Sequence, residues 1–321
     1  MNLLITRHDK IGDFVLTLPT YKVAHEQMKN VKVIALVSKV NYNFAKSIKF
    51  IDDVILYDED IFTLIKNIKE KNIDVSISAF TDTKLALALL LSGVKKRYAP
   101  ATKIAQIFSN HRVKQRRSQV KKTEAQYNLE LLTTFDNNIK PEFNKPLLDY
   151  STEEKIEQLN CFKNQFNIQN EYKYIGFHPG FGGSSDGNLV IDDYIALARC
   201  ISKEENVKVV FTFGPDDLEN KKYIEDHIDF DVILFESKLS LLNFCKLLSN
   251  FEVFVSTSTG PMHLAGSVNI KTISFFGDSL FASAKRWATI SQTQNQNNYS
   301  IPVDYDESLY KKIENRLKEI V

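Results

Sequence analysis

Residues 251–277, FEVFVSTSTGPMHLAGSVNIKTISFFG, set a small polar turn between two apolar runs. FEVFVS reads as a strand, STSTG as a turn, MHLAGS as a short helix and TISFFG as a second strand. Pro261 suits a first helical position, because its missing N–H would have had no partner there. The amides of Thr259, Gly260 and the next residues would then be free at a helix N-terminus. Such a terminus attracts phosphate through unpaired N–H groups and the helix dipole. The segment reads as a diphosphate cradle, with an ordinary strand-to-helix connection as the alternative. Asp13 is the second candidate for chemistry. It ends the turn RHDKIGD and starts a helix. A carboxylate in that place can take a proton from a reacting hydroxyl or cap the helix.

The elements that must position these residues alternate along the chain. In the first half LLIT (3–6), VKVIALV (31–37), VILY (54–57) and IDVSISA (73–79) read as strands, and VKKRYAP as a strand or turn. FVLTLPTYKVAHEQM, VNYNFAKSI, DIFTLIKNIKEKN and TKLALALLL read as the helices between them. Such spacing implies parallel βαβ units. Residues 100–150 break the pattern with a basic polar stretch, a YNLELLTTF helix and a proline-bearing, charged connection. STEEKIEQLNCFKNQF carries a capping signature at Ser151 or Thr152. Alternation resumes with strand candidates 174–180, 207–214, 232–235, FEVFVS and TISFFG, and a last amphipathic helix, DESLYKKIENRLKEIV. The pattern fits two doubly wound α/β domains, 1–150 and 151–321, with the last helix a candidate to pack back on the first. Ligands of such sheets bind at the C-terminal ends of the strands.

Bulk properties narrow the class. The chain has 321 residues, 43% of them apolar, enough for about two domains with large cores. A net charge of +1 excludes global electrostatic capture of nucleic acid. The three cysteines, Cys161, Cys200 and Cys245, are far apart and lack metal-type spacing, which fits a reducing compartment. No clustered His/Cys set suggests a metal site. The longest aliphatic run, LALALLL, is shorter than the about 20 residues a bilayer span needs. The N-terminal residues show no long apolar signal core, so the expectation is a cytoplasmic protein.

LLITRHDKIGDFVLTLPTYKVAHEQ resembles the opening of glycosyltransferase family 9, the bacterial heptosyltransferases, through Arg7, Ile11, Gly12, Asp13, Thr17 and Pro19. The resemblance recurs at FHPGFGGSS (177–185), FTFGPDD (211–217), LSLLNFCKLLSNFEVFVSTSTGPMHLA (239–265) and FFG (275–277). It implies the GT-B architecture: two Rossmann-like domains facing across a cleft, the first for the acceptor and the second for the nucleotide sugar. It also implies transfer of a sugar, heptose from ADP-heptose, to a lipopolysaccharide core-type acceptor, with inversion and without a metal or other cofactor. Asp13 takes the role of base. Thr259 and Gly260 offer donors to the diphosphate, and His263 lies near it, where a buried core histidine is the alternative. Glu219 is the candidate for the ribose diol, against a charged helix start.

The chain departs from the family pattern twice. Ser258 stands where the family usually has Asp before Ser/Thr-Gly-Pro-Met-His. No basic residue follows the His-Pro-Gly segment until Arg199, although Ser184 and Ser185 can still meet phosphates. These departures admit a diverged, non-catalytic sugar-nucleotide-binding or glycan-binding member of the fold as the second reading. A nucleotide-sugar epimerase or dehydrogenase is disfavoured, since the turn after the first strand has one glycine and not Gly-x-Gly-x-x-Gly. The basic residues Lys95, Arg97, Arg112 and Arg116, with Arg7, are the candidates for an anionic glycolipid acceptor. The same basic segment could contact the inner face of the bacterial inner membrane or be solvated surface. It lacks interleaved aromatics, so nucleic acid is not an expected partner.

Overall fold

Each half of the chain builds its own parallel sheet, because every strand is followed by a helix that carries the chain back to the strand's starting edge. The computed structural model describes residues 1–102, 104–180 and 187–321. Two units result, Met1–Asn144 and Lys145–Val321.

The first unit runs β1 (Asn2–Arg7), α1 (Ile11–Val15), α2 (Leu18–Gln27), β2 (Lys32–Val37), α3 (Lys39–Lys46), β3 (Asp53–Leu56), α4 (Ile61–Glu70), β4 (Val75–Ser78), α5 (Thr83–Leu91), β5 (Lys96–Pro100), β6 (His111–Val113) and α6 (Glu124–Phe135). Two 3-10 turns, Ile104–Phe108 and Arg117–Gln119, flank β6. The sheet order is β3-β2-β1-β4-β5-β6. Leu4, Ile34, Leu36 and Ile55 of the sheet are packed with Leu64, Ile68, Leu85 and Leu89 of α4 and α5. Each such side chain contributes about 1.5–3 kcal/mol by leaving water.

The second unit runs α7 (Thr152–Gln165), β7 (Lys173–His178), α8 (Ile191–Ile201), β8 (Val207–Phe213), α9 (Leu218–His227), β9 (Ile233–Glu236), α10 (Leu241–Leu248), β10 (Phe251–Thr257), α11 (Gly260–Ser267), β11 (Lys271–Phe276), α12 (Ala284–Trp287), β12 (Gln296–Ser300) and α13 (Glu307–Ile320). Its order is β12-β11-β10-β7-β8-β9. Counted from its own first strand, this repeats the order of the first sheet. In both sheets the winding direction reverses beside the first strand, between β1 and β4 and between β7 and β10. Doubly wound folds bind ligands outside the strand ends at such a reversal.

Four details differ from the sequence reading. The helix expected over residues 14–28 is broken at Leu16–Thr17, because Pro19 has no N–H to give the preceding turn. α6 starts at Glu124, with a capping box between Thr123 and Gln126. β6 and β12 went unread, since HRV lies inside the basic stretch and QNNYS is polar, and both are edge strands. The boundary lies after Asn144 and not after residue 150. The amides of Leu147 and Leu148 donate to the carbonyl of Ser267 at 3.1 and 3.0 Å, and Lys145 Nζ donates to the carbonyl of Ser291 at 2.6 Å. These bonds join residues 145–148 to the second unit. The last helix, α13, buries Ile313, Leu317 and Ile320 in the second unit's own core.

Candidate active site

In the first unit, β1 is buried to its last residue and delivers Arg7 to the reversal of the sheet. α1 begins four residues later with Lys10 at the cap position, so Asp13 is not the cap. Its carboxylate meets Arg7 instead, with Arg7 Nη2 donating to Asp13 Oδ1. Arg7 Nε donates to Asp9 Oδ1 at 2.8 Å and Arg7 Nη1 to Glu124 Oε1 at 3.1 Å. Arg117 Nη1 reaches the same Glu124 oxygen at 2.5 Å. A polar chain closes the ring. Thr17 Oγ1 donates to the Asp13 carbonyl at 2.9 Å, Asn128 Nδ2 donates to Thr17 Oγ1 at 3.0 Å, and Arg117 Nη2 donates to Asn128 Oδ1 at 3.4 Å.

Burial differs sharply within this cluster. The Arg7 and Glu124 side chains are 4% and 1% exposed, whereas Asp13 keeps 17%. Burial raises the Asp13 carboxyl to about 6; Arg7 pulls it down, while Asp9 and Glu124 push it up. A carboxylate so placed is mostly ionised at neutral pH, yet more basic than an ordinary aspartate. Beside it, His8 Nε2 lies 3.0 Å from Asp82 Oδ2, and the His8 ring stacks on Tyr57 at 4.1 Å. Asp82 also accepts from Tyr57 Oη and from the Leu85 amide at the start of α5, both at 2.7 Å.

In the second unit, β10 ends at Thr257 and α11 starts at Gly260 with Thr259 as its cap residue. Thr259 makes no side-chain capping bond. The first intrahelical bond runs from the His263 amide to the Thr259 carbonyl at 3.3 Å, so the Gly260 and Met262 amides precede it and Pro261 has none. His263 is buried, and its Nδ1 has no hydrogen-bond partner among the described residues. Burial lowers its imidazole to about 3, so the ring is neutral at physiological pH. Next to this helix start, Thr257 Oγ1 donates to the Gly187 carbonyl at 2.5 Å. A Cβ on Gly187 would stand 2.3 Å from the Phe276 carbonyl oxygen, so only glycine allows this approach. After β7, His178 Nδ1 lies 2.9 Å from the Thr212 carbonyl oxygen, and His178 Nε2 lies 3.7 Å from Asp217 Oδ2.

Several expected residues take other places. Arg7 does not face an acceptor; it is buried among three carboxylates, its charge already matched. Lys95 and Arg97 lie at the start of β5, the sheet end opposite to Asp13. Arg97 donates to the Phe108 carbonyl at 2.8 Å. Arg112, on β6, is exposed and donates to the Ser109 carbonyl at 3.1 Å. Arg116 follows the C-terminal end of β6 and is exposed, on the Asp13 end of the sheet. Glu219 is exposed in the first turn of α9, while Asp217 is the buried acid and accepts from the Gly214 amide at 2.8 Å. The Ser258 amide continues the sheet, donating to the Phe275 carbonyl at 2.9 Å. Ser184 and Ser185 lie outside the described residues. Among the described residues no group of three His, Cys, Asp or Glu side chains is placed to hold a metal, and no helix is long and apolar enough to cross a membrane.

Glu124, Arg117 and Asn128 were not singled out from sequence. The available signal was local: Thr123-Glu124-Ala125-Gln126 has the form of a capping box, which marks a helix start inside the basic stretch. Nothing local points from Glu124 to Arg7.

A family model described as glycosyltransferase family 9 (heptosyltransferase) matches residues 61–316. A Haemophilus influenzae protein named "Putative glycosyltransferase" is 32% identical over 330 residues, covering 99% of this chain and 95% of that protein. Lipooligosaccharide heptosyltransferase 2 of Campylobacter jejuni is 24% identical over 146 residues, 44% of each chain. The solved E. coli ADP-heptose lps heptosyltransferase II shares the fold with a TM-score of 0.81 at 18% identity, over 100% of this chain and 98% of that one. An E. coli heptosyltransferase solved with ADP gives 0.71 at 17% identity, over the whole of both chains. The paired six-stranded parallel sheets are thus those of the GT-B architecture.

Proposed function

The chain belongs to glycosyltransferase family 9, and from that premise we propose that it moves a heptose from ADP-heptose onto a lipopolysaccharide core-type acceptor. Asp13 removes the proton from the acceptor hydroxyl as its oxygen attacks the donor's anomeric carbon. The bond from that carbon to the diphosphate breaks, the configuration inverts, and ADP leaves. No metal or other cofactor takes part. The Gly260 and Met262 amides and the α11 dipole receive the charge that grows on the diphosphate. His263 acts there as a neutral hydrogen-bond donor, through the ring whose Nδ1 lacks a partner among the described residues. Thr259 adds a hydroxyl.

The observation that carries this reading is the Asp13 carboxyl. It is bound by Arg7, keeps 17% exposure and lies beside a sheet reversal of the kind at which doubly wound folds bind ligands. The acceptor is an anionic glycolipid, and the protein works as a peripheral guest at the cytoplasmic membrane surface. Exposed Leu90 and Leu91 on α5 and Ile104 and Ile107 on the following 3-10 turn support the second point. Arg112 lies beside them, with Nη2 3.5 Å from the Ile107 carbonyl. Exposed apolar side chains with a basic neighbour suit an anionic bilayer surface. Lys95 and Arg112 then serve this surface, and Arg116 remains the candidate for the acceptor.

The test is turnover. Purified protein, ADP-heptose and a truncated core acceptor should give a heptosylated product, and Asp13→Asn should abolish it with ADP binding retained. ADP binding without transfer to any acceptor would instead support the non-catalytic reading that Ser258 suggests.

A further inference from the structure

Arg7 is shared. Its fork binds Asp13, Asp9 and Glu124, and Glu124 is also held by Arg117. Among the described residues the set places two guanidinium groups against three carboxylates. Asp13 and Asp9, with 17% and 21% exposure, are the members a proton can reach, and Glu124, with 1%, is not.

We propose that Glu124 and Arg117 are positioning residues that set, through Arg7, how strongly Asp13 takes the acceptor's proton. The inference rests on Asp13 being the base. An Arg7 bound to Asp13 alone would neutralise it and make a poor base. Glu124 draws part of that guanidinium charge away, and Arg117 limits how far. The two sit on separate elements, Glu124 at the start of α6 and Arg117 in the turn after β6. Among the described residues, the other charged groups around Asp13 are engaged or exposed. Asp9 accepts from Arg7 Nε, His8 is turned to Asp82, and Lys10 and Lys39 are exposed. The Asn128 link from Thr17 to Arg117 fixes the α1 end of the ring to the same pair.

The pH profile of kcat/KM separates this role from mere support. Glu124→Gln removes a negative charge, so Asp13 becomes more acidic. Its acid limb should move down by about one pH unit, and the plateau kcat should fall about threefold as the base weakens. Arg117→Gln leaves Glu124 less compensated, so that limb should move up. Glu124→Asp keeps the charge and should keep the wild-type limb. The KM for the sugar nucleotide should hold in all three. Thermal melting reports whether each variant folds, and Arg117→Gln alone decides the matter if Glu124→Gln does not. Limbs that stay at the wild-type position in folded variants would overturn the proposal. Full turnover by Asp13→Asn would instead overturn the base assignment beneath it.

Discussion

The guanidinium of Arg7 holds the carboxylate of Asp13 across a turn in which six positions separate them. Both groups are largely withdrawn from water, the arginine nearly completely. Burial pushes the Asp13 carboxyl up, and the charge of Arg7 pulls it down. Division of Arg7 among three carboxylates gives an intermediate state, a carboxyl raised to about 6. That balance yields the first expectation. Transfer activity should fall on acidification with an apparent pKa near that value, as Asp13 gains its proton. Arg7→Met should move the limb to higher pH, because Arg7 is the group that lowers it. The same change takes the buried partner from Asp9 and Asp13, leaves Glu124 to Arg117, and should cost about 3–5 kcal/mol of stability in urea unfolding.

His263 makes the fold acid-sensitive. Its imidazole is lowered to about 3 in the folded chain, against an ordinary 6.5. Below pH 6.5 the unfolded chain therefore binds a proton that the native chain refuses. Stability is intact above 6.5 and is lost progressively as pH falls toward 3. The loss should reach about 2 kcal/mol by pH 5. His178, also lowered by burial, acts in the same direction. His263→Gln should flatten the pH dependence of the denaturation midpoint; an unchanged slope would contradict the buried neutral ring.

Gly187 should tolerate no side chain. An alanine Cβ would lie 2.3 Å from the Phe276 carbonyl oxygen and 2.4 Å from the Gly277 nitrogen, both parts of the backbone. Gly187→Ala must push the chain away from the β10 and β11 ends and lengthen the Thr257 bond to the Gly187 carbonyl. The expected result is a loss of about 2 kcal/mol in stability together with weaker ADP binding in calorimetry. Wild-type behaviour would show that this approach does not shape the helix start.

Leu91→Glu and Ile107→Glu should lower co-sedimentation with vesicles containing phosphatidylglycerol, and leave turnover on a soluble truncated acceptor unchanged. Arg112→Gln should reduce the same binding chiefly at low salt. Equal binding of wild type to neutral vesicles would remove the electrostatic part of the reading, and no binding to either would remove it all.

Much of this was legible in the chain. Strand and helix order followed from apolar runs separated by caps, so both sheets could be anticipated strand by strand except at the edge strands β6 and β12. The helix start after β10 was announced by Gly260-Pro261, and α11 begins at Gly260. The basic stretch misled, because a run of charges carries no sign of which sheet end it will reach. Arg97 went to one end and Arg116 to the other.

The sequence by itself determined the alternation of elements, the turn that exposes Asp13 and the helix that opens at Gly260. Each depends on contacts between near neighbours, where periodicity, proline and caps act. Only the tertiary structure decided what surrounds Asp13. Arg7 finds Glu124 across 117 positions, because β1 lies beside β4 and α6 returns over the same strand ends. Coulomb forces in a buried site depend on distance in space, and distance in space is set by the order of strands in the sheet.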